Sequence, residues 1–367
     1  MLYFLIVTVV LFALATALVL NLHPVFGATS SGDSRTRISQ SPNQAKGRFH
    51  YLEPTKVSTG FDPTKFSAFF RKGDTIPDRP LPTREVKPDH YDRLPAEELR
   101  ITWFGHSTLL FEIGGKRILS DPIFSAVPSP FSFLGQPRFE NTHNYSVEDL
   151  PEIDLIILSH DHYDHLDYPS IRKLKDRVQD FVVPLGVGAH LERWGIAANR
   201  ITELDWWEQT DYAGIQLTCT PARHFSGRGL FNRYSTLWCA WAIRFGDYHN
   251  IFHGADSGYG IHFRQVGEKL GPFDFALLEC GQYNDMWHQI HAMPEELLQA
   301  WDELNVRTIM PIHWGAFKLA MHSWTEPPER LLAAAGRREE RILTPYIGKR
   351  FSPYEVEENR ERWWRFG

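Results

Sequence analysis

One heptapeptide constrains this chain more than any other feature: Ser159-His160-Asp161-His162-Tyr163-Asp164-His165. Four side chains of metal-ligating type, His160, His162, Asp164 and His165, fall within six residues, directly after the apolar run 155–158. An apolar run that stops where the ligands begin predicts a buried strand whose C-terminal end carries them on a rigid support. His160 and His162 alternate, and alternation along extended backbone aims both side chains the same way. Asp164 and His165 follow at the turn into the next helix and can serve a second ion beside the first. Imidazole mixed with carboxylate suits zinc and similar divalent ions.

This motif alone holds too few ligands for two metal shells, so the rest are expected downstream at the ends of other strands. His224 follows the run 216–220, Asp256 follows Ile251-Phe252, and His313 follows Met310-Pro311-Ile312. Each by itself reads as an ordinary structural residue. In this order, after this motif, they form one constellation.

Composition narrows the alternatives. The 367 residues are 43% apolar, enough for one large domain or two small ones with a sizeable core. Lys plus Arg number 39 against 45 Asp plus Glu, a net charge of −6, which argues against general nucleic-acid binding. Cys219, Cys239 and Cys280 sit in apolar runs without CxxC spacing and read as three buried thiols.

Three regions follow from the pattern along the chain. The stretch Leu2–Leu22 has no charge and no proline, and at about 1.5 Å per residue it matches a bilayer span. Residues 1–27 are therefore expected to be a single-pass transmembrane anchor. Arg35, Arg37, Lys46 and Arg48 follow it and place the catalytic domain in the cytoplasm. The alternative is a signal segment cleaved near Ala28, with export of the rest. Residues 28–98 read as a polar linker followed by an irregular, proline-rich arm, in which Phe61, Phe66, Phe69 and Phe70 would pack on the core. Residues 99–367 carry short strands with interspersed helices, the pattern of two sheets faced by helices.

The constellation His160-x-His162-x-Asp164-His165, His224, Asp256 and His313 resembles the metallo-β-lactamase superfamily over roughly residues 99–346. The resemblance implies an α/β (α+β) fold, the four-layer αββα sandwich, with two zinc ions per chain as the expected cofactors and other divalent ions open. It also implies a division of ligands: His160, His162 and His224 on one ion, Asp164, His165 and His313 on the other, and Asp256 bridging. A narrower set of motifs is similar to the N-acylphosphatidylethanolamine-hydrolysing phospholipase D family: TWFGHSTLL at 102–110, LSDPIF at 119–124, SHDHYDHLD at 159–167, HAMPEE at 291–296 and PIHWGAF at 311–317. That similarity implies a phosphodiesterase that releases N-acylethanolamine and phosphatidic acid through a hydroxide shared by the metals. A phospholipid and a membrane surface would be its partners. A homodimer is left open.

Asp164 and Asp256 are expected to orient the nucleophile as well as to bind metal, and Tyr163 and His291 to contact the phosphate or the leaving group. His106 and Asp121 are candidates for hydrogen-bonding the metal-bound imidazoles. Residues 127–133 and 229–241 and Trp287 could build an apolar cleft, with Phe131 and Phe133 as a membrane-touching lip. The tail Trp363-Trp364-Arg365-Phe366 has interfacial character. Two other readings remain: a dinuclear hydrolase of a soluble lactone or phosphoester, and a non-catalytic metal-binding protein on the same fold.

Overall fold

The computed structural model describes residues 1–58, 60 and 73–366. Phe61, Phe66, Phe69 and Phe70 lie outside them.

After the short hairpin β1 (Gln44–Ala45) and β2 (Arg48–Phe49), thirteen strands form two sheets among the described residues. The first sheet takes β3 (Arg100–Trp103), β4 (Leu109–Ile113), β5 (Lys116–Ser120), β6 (Ile153–Ile157), β7 (Val178–Pro184) and β8 (Ile201–Leu204) in order, with β15 (Arg350–Phe351) on the outer edge of β3. The second runs β14 (Val306–Ile312), β13 (Phe273–Glu279), β12 (His249–His253), β11 (Ala240–Phe245), β10 (Ile215–Thr220) and β9 (Gln209–Tyr212). Hairpins give antiparallel pairs through β3–β5, and the pairs β5–β6, β6–β7 and β7–β8 are parallel. Parallel neighbours need a crossover. The helices Tyr168–Leu174 and Gly188–Arg193 supply two of these crossovers.

Every residue of β6 is buried, as expected of a central strand covered on both faces. Leu155 and Ile157 face a core shared with Leu217, Trp241 and Ile251 of the other sheet. Ile156 faces Ile171, Leu174 and Leu191 on the two helices. On the far side, Phe263, Trp301 and Leu331 from three further helices close over the second sheet. This mixed α/β arrangement of two sheets fits the metallo-β-lactamase fold.

Two expectations for the N-terminus need correction. Among the described residues no helix is long and apolar enough to cross a membrane, so the single-pass anchor and the sidedness argued from it are not supported. The C-terminal end of Leu2–Leu22 is tied to the globular body instead: Arg193 donates to the carbonyls of Asn21 and Leu22, and the Trp194 indole N–H donates to that of Pro24 at 2.7 Å. The polar stretch 28–44 also contains a helix, Gly32–Gln40, which buries Ile38 and reaches the carbonyl of Glu203 through Arg37 at 2.6 Å. Long-range contacts hold it, and local composition does not reveal those.

The C-terminal aromatics differ from expectation as well. Trp363 and Trp364 are buried, and Trp363 stacks on Trp314 with ring centres 4.9 Å apart.

Candidate metal centre

The residues of the centre come from strand ends. Asp121 follows β5, His160 to His165 follow β6, His224 follows β10, Asp256 follows β12, Glu279 closes β13 and His313 follows β14. These strands point in a common sense within each sheet, so their carboxyl ends converge at one edge of the sandwich. There the backbone leaves its usual range. His106, Asp121, Ala255, Gln282 and His313 all have positive φ, between 43° and 66°. Each such residue costs on the order of 1 kcal/mol or more, tolerated because the surrounding core over-determines it.

The imidazoles fall into two groups. His160 Nε2 and His224 Nε2 lie 3.0 and 3.1 Å from His162 Nδ1. Asp164, His165 and His313, joined by His106, offer a second set of mutually close ligand atoms. Asp256 stands between them. Its Oδ1 is 3.1 Å from His165 Nε2 and 3.0 Å from His313 Nδ1, while its Oδ2 is 3.7 Å from His224 Nε2 and 3.9 Å from His160 Nε2. One carboxylate oxygen thus faces each group.

The burial of these atoms fits a cation. His165 Nε2 and Asp256 Oδ1 are buried and make no hydrogen bond, although they are close neighbours. Buried polar atoms without partners are rare in native proteins. Here they converge with imidazole nitrogens and carboxylate oxygens of the type that binds divalent ions. Burial pushes His160 and His224 well below the ordinary imidazole range, toward the neutral form that ligates. Burial would do the same to His165, but the Asp256 and Asp164 carboxylates and the hydrogen bond that His165 donates to Asp121 outweigh it and hold His165 well above that range. Burial would likewise raise Asp256, yet His165 and His313 keep it ionised.

Supporting contacts fix the rings. Asp121 accepts from the backbone N–H of Ser159 at 2.8 Å and from its hydroxyl, and pairs with His165 Nδ1 at 2.9 Å. His106 Nε2 lies 2.8 Å from Asp164 Oδ2, and His224 Nδ1 donates to the carbonyl of Ile290 at 3.0 Å. Burial and repulsion from His313 push His106 down to about 3, so it is neutral. Asp121 thus stands where the sequence motifs suggested, whereas His106 pairs with the Asp164 carboxylate and not with an imidazole.

A cavity of about 370 Å³ opens over both groups. His162, Asp164, His224, Asp256 and His313 form its polar floor, and Phe225, Trp287, Ile290 and Leu319 form much of its wall. His291 is part of this wall. Tyr163 is not: its hydroxyl donates to the carbonyl of Arg228 and its ring lies under that guanidinium, 4.2 Å away. Adjacency within the motif misled here, because successive residues of an extended turn face opposite ways.

Glu279 lies outside the sequence motifs. It is buried at the end of β13, accepts from the backbone N–H of Ser257 and pairs with His291 Nδ1. Burial, reinforced by Asp256, raises its carboxyl well above the usual range. Its signal was the one that marked Asp256: a carboxylate ending an apolar strand.

Known proteins bear on this centre. The beta-lactamase superfamily domain matches residues 116–314. A Mycobacterium tuberculosis protein described as uncharacterised is 40% identical over 354 residues, covering 93% of each chain. N-acyl-phosphatidylethanolamine-hydrolyzing phospholipase D 1 of Caenorhabditis elegans is 32% identical over 284 residues, 74% of this chain and 78% of that protein. In structure, the metallo hydrolase Igni18 from Ignicoccus hospitalis superposes with a TM-score of 0.52 at 20% identity, over 69% of this chain and 97% of that one, which speaks for the fold. With the family domain spanning more than half of the chain and its His/Asp clusters gathered at one sheet edge, this protein belongs to the metallo-β-lactamase superfamily of hydrolases.

Proposed function

We propose that the chain is a phospholipase D-type phosphodiesterase that hydrolyses N-acylphosphatidylethanolamine, taken from a lipid surface, to N-acylethanolamine and phosphatidic acid. The observation that carries this reading is the similarity to the nematode enzyme of that name, which extends over 78% of its length. The cavity supports it, since a polar floor suited to a phosphodiester adjoins apolar walls at Phe225, Trp287, Ile290 and Leu319. Phe133 and Phe231 are 80% and 86% exposed, and Phe133 stacks on Phe131 at 5.5 Å, which gives the body apolar rings to rest on a lipid surface.

In this reading His160, His162 and His224 would hold one divalent ion, zinc first among them, and Asp164, His165 and His313 a second, with Asp256 facing both groups. Such ions would lower the pKa of a bound water and offset charge on the phosphoryl oxygens. The protein's own groups do the rest. Asp164 and Asp256 orient the attacking water against phosphorus. Glu279 fixes the His291 ring, which supplies a proton to the departing ethanolamine oxygen. Burial lowers the His291 pKa, so the ring rests neutral, takes up a proton from the attacking water and passes it to that oxygen. The apolar wall takes up the acyl chain and excludes water.

The test is metal-dependent release of N-acylethanolamine from vesicles containing N-acylphosphatidylethanolamine, set beside a panel of soluble lactones and phosphodiesters. Release that a chelator abolishes and zinc restores is the expected result. Turnover of the soluble panel alone would replace this reading with that of a soluble-substrate hydrolase. Stoichiometric zinc binding without turnover of any substrate would leave a non-catalytic metal protein.

A further inference from the structure

Arg228 lies four residues beyond His224 and is only 3% exposed. A buried guanidinium needs several acceptors to offset its lost hydration. Those it finds are informative. Nη1 donates to the carbonyls of Asp161 and Leu166, both at 2.7 Å, which bracket the turn from His162 to His165. Nε donates to the carbonyl of Val25 at 3.0 Å. One side chain therefore joins the N-terminal segment to both ends of the ligand-bearing turn.

A second path starts from the same segment. The backbone N–H of Ala28 donates to His190 Nδ1 at 2.9 Å. That leaves the ring proton on Nε2, which faces the Asp161 carboxylate at 3.2 Å. Asp161 also accepts from the Gly227 N–H at 2.6 Å and the Thr236 hydroxyl at 2.9 Å. Gly27 lies flat against the imidazole: a Cβ there would stand 1.9 Å from His190 Nδ1, and its φ of 70° already disfavours a side chain.

We infer that residues 25–28 brace the metal-binding turn, with Arg228 and the His190–Asp161 pair as positioning residues. The inference rests on the reading of His160, His162, Asp164 and His165 as metal ligands. That turn has two backbone hydrogen bonds of its own, from the N–H groups of His165 and Leu166 to the carbonyl of His162 at 3.1 and 2.8 Å, and the brace adds the contacts that fix its two ends. Neither Arg228, His190 nor the brace lines the cavity, which separates positioning from contact with substrate.

The test uses the full chain with Arg228→Lys, which keeps charge but cannot reach three carbonyls, and Gly27→Ala, which pushes the brace off His190. Zinc affinity is measured by competition with a chromophoric chelator, the absorption spectrum of the cobalt-loaded protein reports ligand geometry, and circular dichroism reports folding. Both variants should fold, bind zinc about tenfold to 100-fold more weakly and show an altered cobalt spectrum. Should Arg228→Lys not fold, Gly27→Ala decides alone. A lower melting temperature with unchanged zinc affinity and cobalt spectrum would overturn the brace and leave the metal centre standing. A wild-type chain that binds neither zinc nor cobalt would overturn the metal centre, and the brace with it.

Discussion

Asp256 is the residue at which the two ligand groups meet, one oxygen toward each. Asp256→Asn replaces one of those oxygens with a nitrogen that cannot serve a cation, so one group loses its ligand atom and the other keeps only an uncharged amide oxygen. Metal content should fall and activity should drop by about 100-fold or more, checked by elemental analysis beside the vesicle assay. Glu279→Gln asks a different question. The amide keeps an acceptor for Ser257 but presents an NH2 group, in place of a carboxyl oxygen, to His291 Nδ1. Turnover should fall about tenfold to 100-fold with both metals retained; unchanged turnover would mean that His291 needs no such support. Tyr163→Phe is the contrast, because its hydroxyl is spent on the Arg228 carbonyl. It should cost on the order of 1 kcal/mol of stability, read from denaturant unfolding, with turnover per folded molecule within about twofold.

At the scale of elements, the centre depends on how strands stop. β6 hands its ligands to a turn that is closed by Asp167, the N-cap of helix Tyr168–Leu174. Asp167 accepts from the Ser170 N–H at 3.2 Å and from the Ser125 hydroxyl at 2.8 Å, so it ties the helix to the loop after β5. Asp167→Ala should cost about 1 kcal/mol for the cap alone and somewhat more for the severed loop, seen as a lower unfolding midpoint. Zinc binding should weaken less than in the brace variants, because the hydrogen bonds of Asp167 go to Ser125 and Ser170 and not to the ligand-bearing turn. β13 and β14 also meet closely. At Gly281 a Cβ would stand 2.2 Å from the carbonyl of His313, so only glycine lets the two strand ends approach.

For the whole molecule, the centre joins the two sheets: Asp164 and His165 come from one, and His224, Asp256 and His313 from the other. Ions held there cross-link the sandwich at one edge. Ligand binding to the folded state alone stabilises it by RT ln(1 + [L]/Kd), about 4 kcal/mol at a thousandfold excess over Kd. Chelation should therefore lower the melting temperature and added zinc should restore it, with elemental analysis returning about two ions per chain. A melting temperature indifferent to chelator would exclude metals that bridge the sheets.

Much of the centre was legible because its signal is local. A burst of imidazoles after an apolar run, and single ligands placed after later strands, survive as patterns whatever the tertiary arrangement, since strand ends on one sheet edge are where such ligands can meet. The superfamily followed from the resemblance those patterns carry, and Asp121 stood in the separate motif at 119–124. What stayed hidden depends on contacts between residues far apart in the chain. Tyr163 is turned to Arg228, Trp363 and Trp364 are folded under Trp314, and Glu279 meets His291 only once β13 lies beside the loop after it. The N-terminal segment is the clearest case. Its composition describes an apolar run and a polar linker, whereas its path over the body is set by Arg193, Trp194, His190 and Arg228, from 162 to 203 residues away. Periodicity and spacing record which faces are apolar and which side chains can bind metal. Which of them touch is decided by the closing of long loops around a shared core, whose entropy no local pattern encodes.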